Sequence, residues 1–309
     1  VPINYTTDEL ISAVKDIITV PTSQALFLPA NFTRLMNLEL HKKLVPAIKA
    51  AREDYFIRTS DTSLVSGTDT YRIPTRAVGG ALRDIQYLDA SGNPAEFPRL
   101  DWEFLKSNPI LSGDRYYGYI FKGHEILVKP VPANITTQKI RWVYERRPNN
   151  LVLAASAGLI TAINSGTREV TVSNRPSTWT TSTIFDVIKP DPMFDPVADD
   201  QAISALTGNV LTFSSLPTGI AVGQWVCEAG FSPVPQLPYE GALVLAELAA
   251  VKALGSIKDA PGIKEAKAQA KDDLDYFIRV ITPRNQGTPQ RIVSRGGIFD
   301  YARIGRSRF

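Results

Sequence analysis

The chain of 309 residues is poor in the residues that most often carry chemistry. It has a single cysteine, Cys227, and only two histidines, His41 and His124. One cysteine excludes an intrachain disulfide and suits a reducing compartment. His41 falls in a helical pattern and His124 in a turn pattern. Neither has a Cys or His neighbour at ligand spacing, so no zinc site is expected. No apolar run reaches the length of a membrane span. The opening VPINYTTDEL has no basic or apolar signal region, so no secretory leader is expected. There is no G-x-S-x-G elbow, Walker loop or G-x-G-x-x-G turn. No catalytic residue, cofactor or metal is therefore assigned, and the chain is not expected to be an enzyme.

Lysine is absent from the last 26 residues, which instead carry six arginines, Arg284, Arg291, Arg295, Arg303, Arg306 and Arg308. With Asp300 as the only acid, the segment is net +5 in a chain of net +3, so the rest is net −2. Ile292, Val293, Ile298, Phe299, Tyr301, Ile304 and Phe309 lie between the charges. Four glycines, with Pro283 and Pro289, rule out a long helix. Chain ends fray by default. Disordered linkers, however, are usually poor in large apolar residues. The composition thus points to an extended partner-binding arm. Its candidate contact residues are Arg284, Arg291, Ile292, Arg295, Ile298, Phe299, Tyr301, Arg303, Arg306, Arg308 and Phe309.

Helical patterns occupy both ends of the chain. Thr6 and Glu9 have the spacing of a capping box, followed by the face Leu10, Val14, Ile17 and Ile18. A second helical pattern spans Asn31 to Arg58, and Pro46 must kink or split it. Tyr239 to Leu254 is apolar almost all round, as in a helix packed between neighbours, with Gly255 as its C-cap. Pro261 opens a last helix that ends at Thr282-Pro283.

Short β-prone runs fill the middle: Thr70 to Ile73, Ile85 to Leu88, Tyr116 to Phe121, Ile126 to Val128 and Ile140 to Tyr144. Gly123-His124 reads as a tight turn. From Leu151 the composition shifts to Ser, Thr, Gly and Pro. The runs 169–172, 184–188, 210–213 and 224–227 then suggest a separate β module with Trp225 and Phe213 in its core. The expected fold is α+β: a helical bundle closed from the N- and C-terminal helices, central β-rich excursions, and an extended C-terminal tail. Its divisions are residues 1–60, the β-rich region 61–150, the inserted module 151–238, helices 239–282 and the tail 283–309.

Two charged stretches stand out. Asp191, Asp195, Asp199 and Asp200 supply hard oxygen ligands of the kind calcium takes. The two prolines among them and the missing EF-hand spacing favour a solvated acidic loop. Glu145-Arg146-Arg147 beside Trp142 and Tyr144 could meet phosphate and a stacked base, but reads more simply as a charged strand end.

The order of several motifs resembles one family. These are Ala51-Arg-Glu-Asp-Tyr-Phe56, Tyr71-Arg-Ile-Pro-Thr-Arg-Ala77, Ile126-Leu-Val-Lys-Pro130 and Tyr144-Glu-Arg-Arg-Pro148. Val222-Gly-Gln-Trp225, Pro235-Gln-Leu-Pro238 and the junction Ile281-Thr-Pro-Arg284 through Gly287 to Pro289 follow. Together they resemble the adaptor, or head-to-tail connector, proteins of tailed bacteriophages, particularly short-tailed ones. The resemblance implies a structural virion protein, made in the host cytoplasm and placed at the head-tail junction. It implies a homo-oligomeric ring of about twelve copies beneath the portal, with the C-terminal tail docked on the portal protein. DNA would pass through the lumen without sequence recognition. Other tail, collar or fibre proteins are the further partners, and no membrane is involved. Two alternatives stand beside it: a nucleic-acid-binding protein using the basic tail, and a fibre-anchoring or receptor-binding tail protein using the β insertion.

Overall fold

The structure is a computed structural model. It describes residues 5–18, 28–103, 118–129, 131–132, 137–191, 193–257 and 260–283. All of the candidate arm residues from Arg284 to Phe309 lie outside the described residues.

Helix α1 (Thr7–Ile18) starts where the capping box predicts. The Thr6 amide donates to Glu9 Oε2 at 2.7 Å and the Glu9 amide to Thr6 Oγ1 at 3.3 Å. Helix α2 (Pro29–Glu39) passes through a π turn (Leu40–Leu44) into α3 (Val45–Ala51). The Val45 amide reaches back five residues to the Leu40 carbonyl. Pro46 supplies no N–H at the next position, so the wide turn absorbs the mismatch just before it. The helix ends at Ala51, seven residues short of the expected Arg58.

Helix α4 (Tyr239–Ile257) runs two residues past Gly255, which is an interior residue and not a C-cap. Helix α5 (Ala260–Ile281) carries Pro261 in its first turn, where the missing N–H costs nothing. Leu10, Val14, Phe32, Met36, Leu40, Leu44 and Ile48 form one buried core with Ala242, Leu245, Ala249, Ala253 and Phe277.

The expectation of a helical bundle with β excursions is corrected by the strands. The molecule is mixed α/β and strand-rich. A four-stranded sheet has the order β1-β7-β3-β4, built from β1 (Ile57–Ser63), β3 (Ala77–Leu88), β4 (Pro94–Ala95) and β7 (Lys139–Arg146). A three-stranded sheet joins β2 (Thr70–Arg72) to β6 (Glu125–Lys129) and β5 (Gly118–Lys122). Between β5 and β6, Gly123 takes φ 62°, as a two-residue turn with glycine first requires. Strand β8 (Asn150–Leu151) pairs in parallel with β15 (Phe231–Ser232).

Between those paired ends lies a closed six-stranded barrel. Its strands are β9 (Gly158–Asn164), β10 (Glu169–Val172), β11 (Ile184–Ile188), β12 (Pro196–Thr207), β13 (Val210–Phe213) and β14 (Trp225–Glu228). Three strands gave no readable signal. β1 reads Ile-Arg-Thr-Ser-Asp-Thr-Ser, β9 is interrupted by polar residues, and β12 is bulged, so none shows an apolar period of two. In β9 and β12 barrel closure satisfies the backbone groups without strong side-chain patterning, while β1 lies outside the barrel at a sheet edge.

Phe213 is fully buried in the barrel with Val170, Phe185, Val187 and Val226. Trp179, not Trp225, is the core indole, with its ring centroid 4.8 Å from that of Phe185. Trp225 is half-buried against Ala157, Ile188 and Cys227. At Gly158 a Cβ would stand 2.8 Å from Val172 Cβ and 2.9 Å from the Asn174 carbonyl oxygen, so only glycine lets β9 approach β10 this closely.

Candidate functional site at the sheet–barrel junction

Strand β7 alternates, and its inward face carries Ile140, Trp142, Tyr144 and then Arg146. The period of two places a guanidinium where the next apolar residue belongs. The charged strand end is in place, with β7 closing at Arg146, but Arg146 itself is completely buried. Burying a charge is costly unless it is paired and hydrogen-bonded. Arg146 donates to Asp199 at 2.7 Å, Asn149 Oδ1 at 2.9 Å and Gln236 Oε1 at 3.3 Å. Its Cζ also lies 5.7 Å from the Phe194 ring centre.

Arg76, one residue before β3, forms the second half of the cluster. It grips Asp186 bidentately at 2.7 and 2.9 Å and reaches Asp200 at 2.6 Å. Burial alone would lower its pKa, but the hydrogen bonds and charge of Asp186, then of Asp200 and Asp199, hold it above the ordinary range. Asp186 is fully buried in the middle of β11. It also accepts from Asn149 Nδ2 at 2.8 Å and from the Gly230 and Asp200 amides at 3.0 Å each. Arg58 adds a longer contact to Asp199, at 3.6 Å.

A bulge explains why two adjacent aspartates point the same way. Phe185 pairs with Gln201 and Val187 with Ala198, so Asp199 and Asp200 together oppose Asp186. In a regular strand their side chains would alternate between faces. Here Asp200 takes a left-handed φ of 55°, a conformation that aspartate tolerates better than most residues. Its carboxyl pKa is raised, first by burial, with Asp186 and Asp199 adding to the rise against the lowering effect of Arg76. The acidic stretch is therefore a solvated loop only in part: Asp195 is exposed, whereas Asp199 and Asp200 lie on a strand. Its end is strand β12, and its start docks on the helices. The Phe194 amide donates to Tyr55 Oη at 3.2 Å, and the Phe194 ring meets Phe56 edge-on at 5.1 Å.

Arg58, Arg76 and Arg146 thus come from the four-stranded sheet and its edge, while Asp186, Asp199 and Asp200 come from the barrel. The three cations and three anions balance. Beside them opens a cleft of about 670 Å³, lined by Arg58, Arg72 and Tyr144 of the sheets and by Asp200, Leu216 and Thr218 of the barrel.

The other sequence candidates lie apart from this cluster. His41 is in the π turn, 2.8 Å from Asn150 Oδ1, and burial lowers its pKa. His124 sits in the β5–β6 turn. Cys227 is opposite Asp186 on β14; burial, then that negative charge, raises its thiol pKa well above the ordinary value. Such a thiol is not poised to react. Among the described residues, no three His, Cys, Asp or Glu side chains gather as a metal site, and no helix is long and apolar enough to cross a membrane.

Sequence reasoning missed Arg76, Asn149, Asp186 and Gln236. One signal was available: Asp186 interrupts Ile-Phe-Asp-Val-Ile, a carboxylate in an otherwise apolar strand. Arg76 and Gln236 lie in turn-like Pro-rich stretches that advertise nothing. No family model matches the chain, and a search of curated proteins finds no detectable relative.

Proposed function

We propose that the chain is a structural virion protein, an adaptor subunit whose ring joins a portal to a tail and continues the DNA channel. The reading rests on the motif order from Ala51 to Pro289. The observation that carries it is the segment 284–309, with six arginines, no lysine and seven large apolar residues. It follows directly on α5, and the described cores close before it. In this reading the segment is the arm that grips the portal. Arginine pairs bidentately with carboxylates, and Ile292, Ile298, Phe299, Tyr301 and Phe309 supply apolar anchors. Ordering a residue costs about 1–2 kcal/mol, and a buried large apolar side chain returns about 1.5–3 kcal/mol. Seven such side chains do not offset 26 ordered residues, so repetition around a ring contributes the rest.

The test is a truncation after Thr282, with binding measured to purified portal and to duplex DNA across a salt series. The truncated chain is expected to stay folded and to lose portal binding. A tail that neutralised DNA phosphates would show a log–log salt slope of about −4 to −5. Steeply salt-dependent DNA binding without portal binding would replace this reading with a nucleic-acid-binding one. A particle reconstruction that put the chain in a trimeric spike would also overturn it.

A further inference from the structure

Among the described residues, strand β1 lies at the edge of its sheet and pairs only with β7. Its register fixes which backbone groups are used. The Arg146 amide donates to the Phe56 carbonyl at 2.8 Å and the Leu64 amide to the Gln138 carbonyl at 2.9 Å. In an antiparallel ladder alternate residues face the partner. Residues 58, 60 and 62 therefore turn their N–H and C=O groups toward β7, and Thr59, Asp61 and Ser63 turn theirs outward. The Ile57 amide is taken by the Asp54 carbonyl at 3.3 Å. The outward groups of Thr59, Asp61 and Ser63 meet no backbone partner among the described residues.

Open edges are normally blunted by proline, bulges, lysine or a covering element. Among the described residues none of these devices is present in β1, whose charged side chains are Arg58 and Asp61. It is seven residues long, without proline or glycine, and pairs with β7 without a register shift. The edge is accessible, with Thr59, Asp61, Thr62 and Ser63 exposed. Thr59 to Thr62 form one wall of the 670 Å³ cleft, and Leu216 to Thr218 of the barrel form the other.

Most of the charge lining the cleft is paired. Asp61 is matched by Arg141 at 2.8 Å, and Arg58 and Arg76 share the barrel aspartates. Arg72 is exposed and forms no ion pair with a described carboxylate. We propose that this edge and cleft receive an extended segment of a partner protein that adds a strand to β1 and presents a carboxylate side chain to Arg72. Main-chain hydrogen bonds would hold such a segment, and Arg72 would select its charge. This proposal does not depend on the role proposed for the C-terminal arm.

The experiment uses the full chain and three probes. One is a capped eight-residue peptide of alternating Thr-Glu-Thr-Val units. The second has lysine in place of glutamate. The third is a peptide of residues 284–309. Amide exchange and chemical shifts are followed residue by residue. The acidic peptide is expected to protect the Thr59, Asp61 and Ser63 amides and leave Arg58, Ser60 and Thr62 unchanged. Thr59→Pro removes one outward N–H without touching the β1–β7 ladder and should abolish binding. Arg72→Glu should weaken the acidic peptide by about tenfold or more, the scale of one charge-assisted hydrogen bond. If Thr59→Pro proves unfolded, the alternating protection in the native chain decides alone. Absence of that alternation at saturating acidic peptide would overturn the proposal. So would tighter binding of the lysine or 284–309 peptide.

Discussion

The helical core and the heart of the sheet–barrel junction, Arg146 and Asp186, are both fully buried, yet they are held by opposite means. Leu10, Phe32, Met36, Leu245 and Phe277 cohere by burial that has no direction, in which each contact is small and replaceable. Around Arg146 and Asp186 the charged groups depend on particular donors and acceptors. Such cores tolerate changes of shape when volume is kept. Paired buried ions tolerate the loss of both partners better than the loss of one. The comparison teaches that similar burial can conceal a forgiving region and an unforgiving one.

The largest expected effect follows from that asymmetry. Asp186→Ala takes the bidentate partner from Arg76 and an acceptor from Asn149 and two amides, and should cost about 3–5 kcal/mol in urea unfolding. Leu245→Met, equally buried, should cost less than about 1.5 kcal/mol. Equal losses at the two sites would erase the distinction.

The two regions also differed in how legible they were. The helical faces were readable because Leu10 and Val14, or Ala270 and Phe277, recur at helical spacing, which the chain states locally. The barrel strands 169–172, 184–188 and 210–213 were readable as apolar runs. Closure of those strands was not, because it depends on β14 meeting β9, partners more than sixty residues apart in sequence. The junction was hidden for the same reason. Arg76 meets Asp186 across 110 residues, and a bulge, invisible in composition, turns Asp199 and Asp200 to one side. Of the candidate binding residues, the arm stood out in composition alone, while the open edge of β1 appears only once its register is known.

A steric change inside the barrel should fall next in size. Gly158→Ala drives a methyl group into Val172 and the Asn174 carbonyl, and overpacking of this kind costs about 1–3 kcal/mol. Thermal unfolding followed at Trp179 would show it. An unchanged midpoint would mean that β9 and β10 separate freely.

The smallest effect probes a polar contact within the helical region. Glu247 on α4 faces Asp273 on α5. Burial first, then the Asp273 charge and a hydrogen bond between the carboxyls, raises Glu247 to about 7 from its ordinary 4.5. A carboxyl with a raised folded pKa binds its proton more tightly in the fold than in the unfolded chain. Stability therefore falls as pH rises from about 4.5 through 7, and the penalty is complete above that. Because the site is only half-buried, screening reduces the penalty to about 1 kcal/mol. Glu247→Gln should be more stable than the parent by that amount at pH 8, and the gain should vanish near pH 4. A pH-independent difference would remove the carboxyl pair from the account.

The central claim is that the ion network makes sheet and barrel one cooperative unit. Native-state hydrogen exchange on Arg76→Met tests it most directly, because Arg76 belongs to the sheet side and lies outside the barrel. In the parent chain the amides of Trp142 in the sheet and of Val187 and Leu211 in the barrel should open together, with a common free energy. In Arg76→Met the two sets should separate, each opening with its own, lower free energy. Retention of one shared, undiminished opening free energy in the variant would contradict the account.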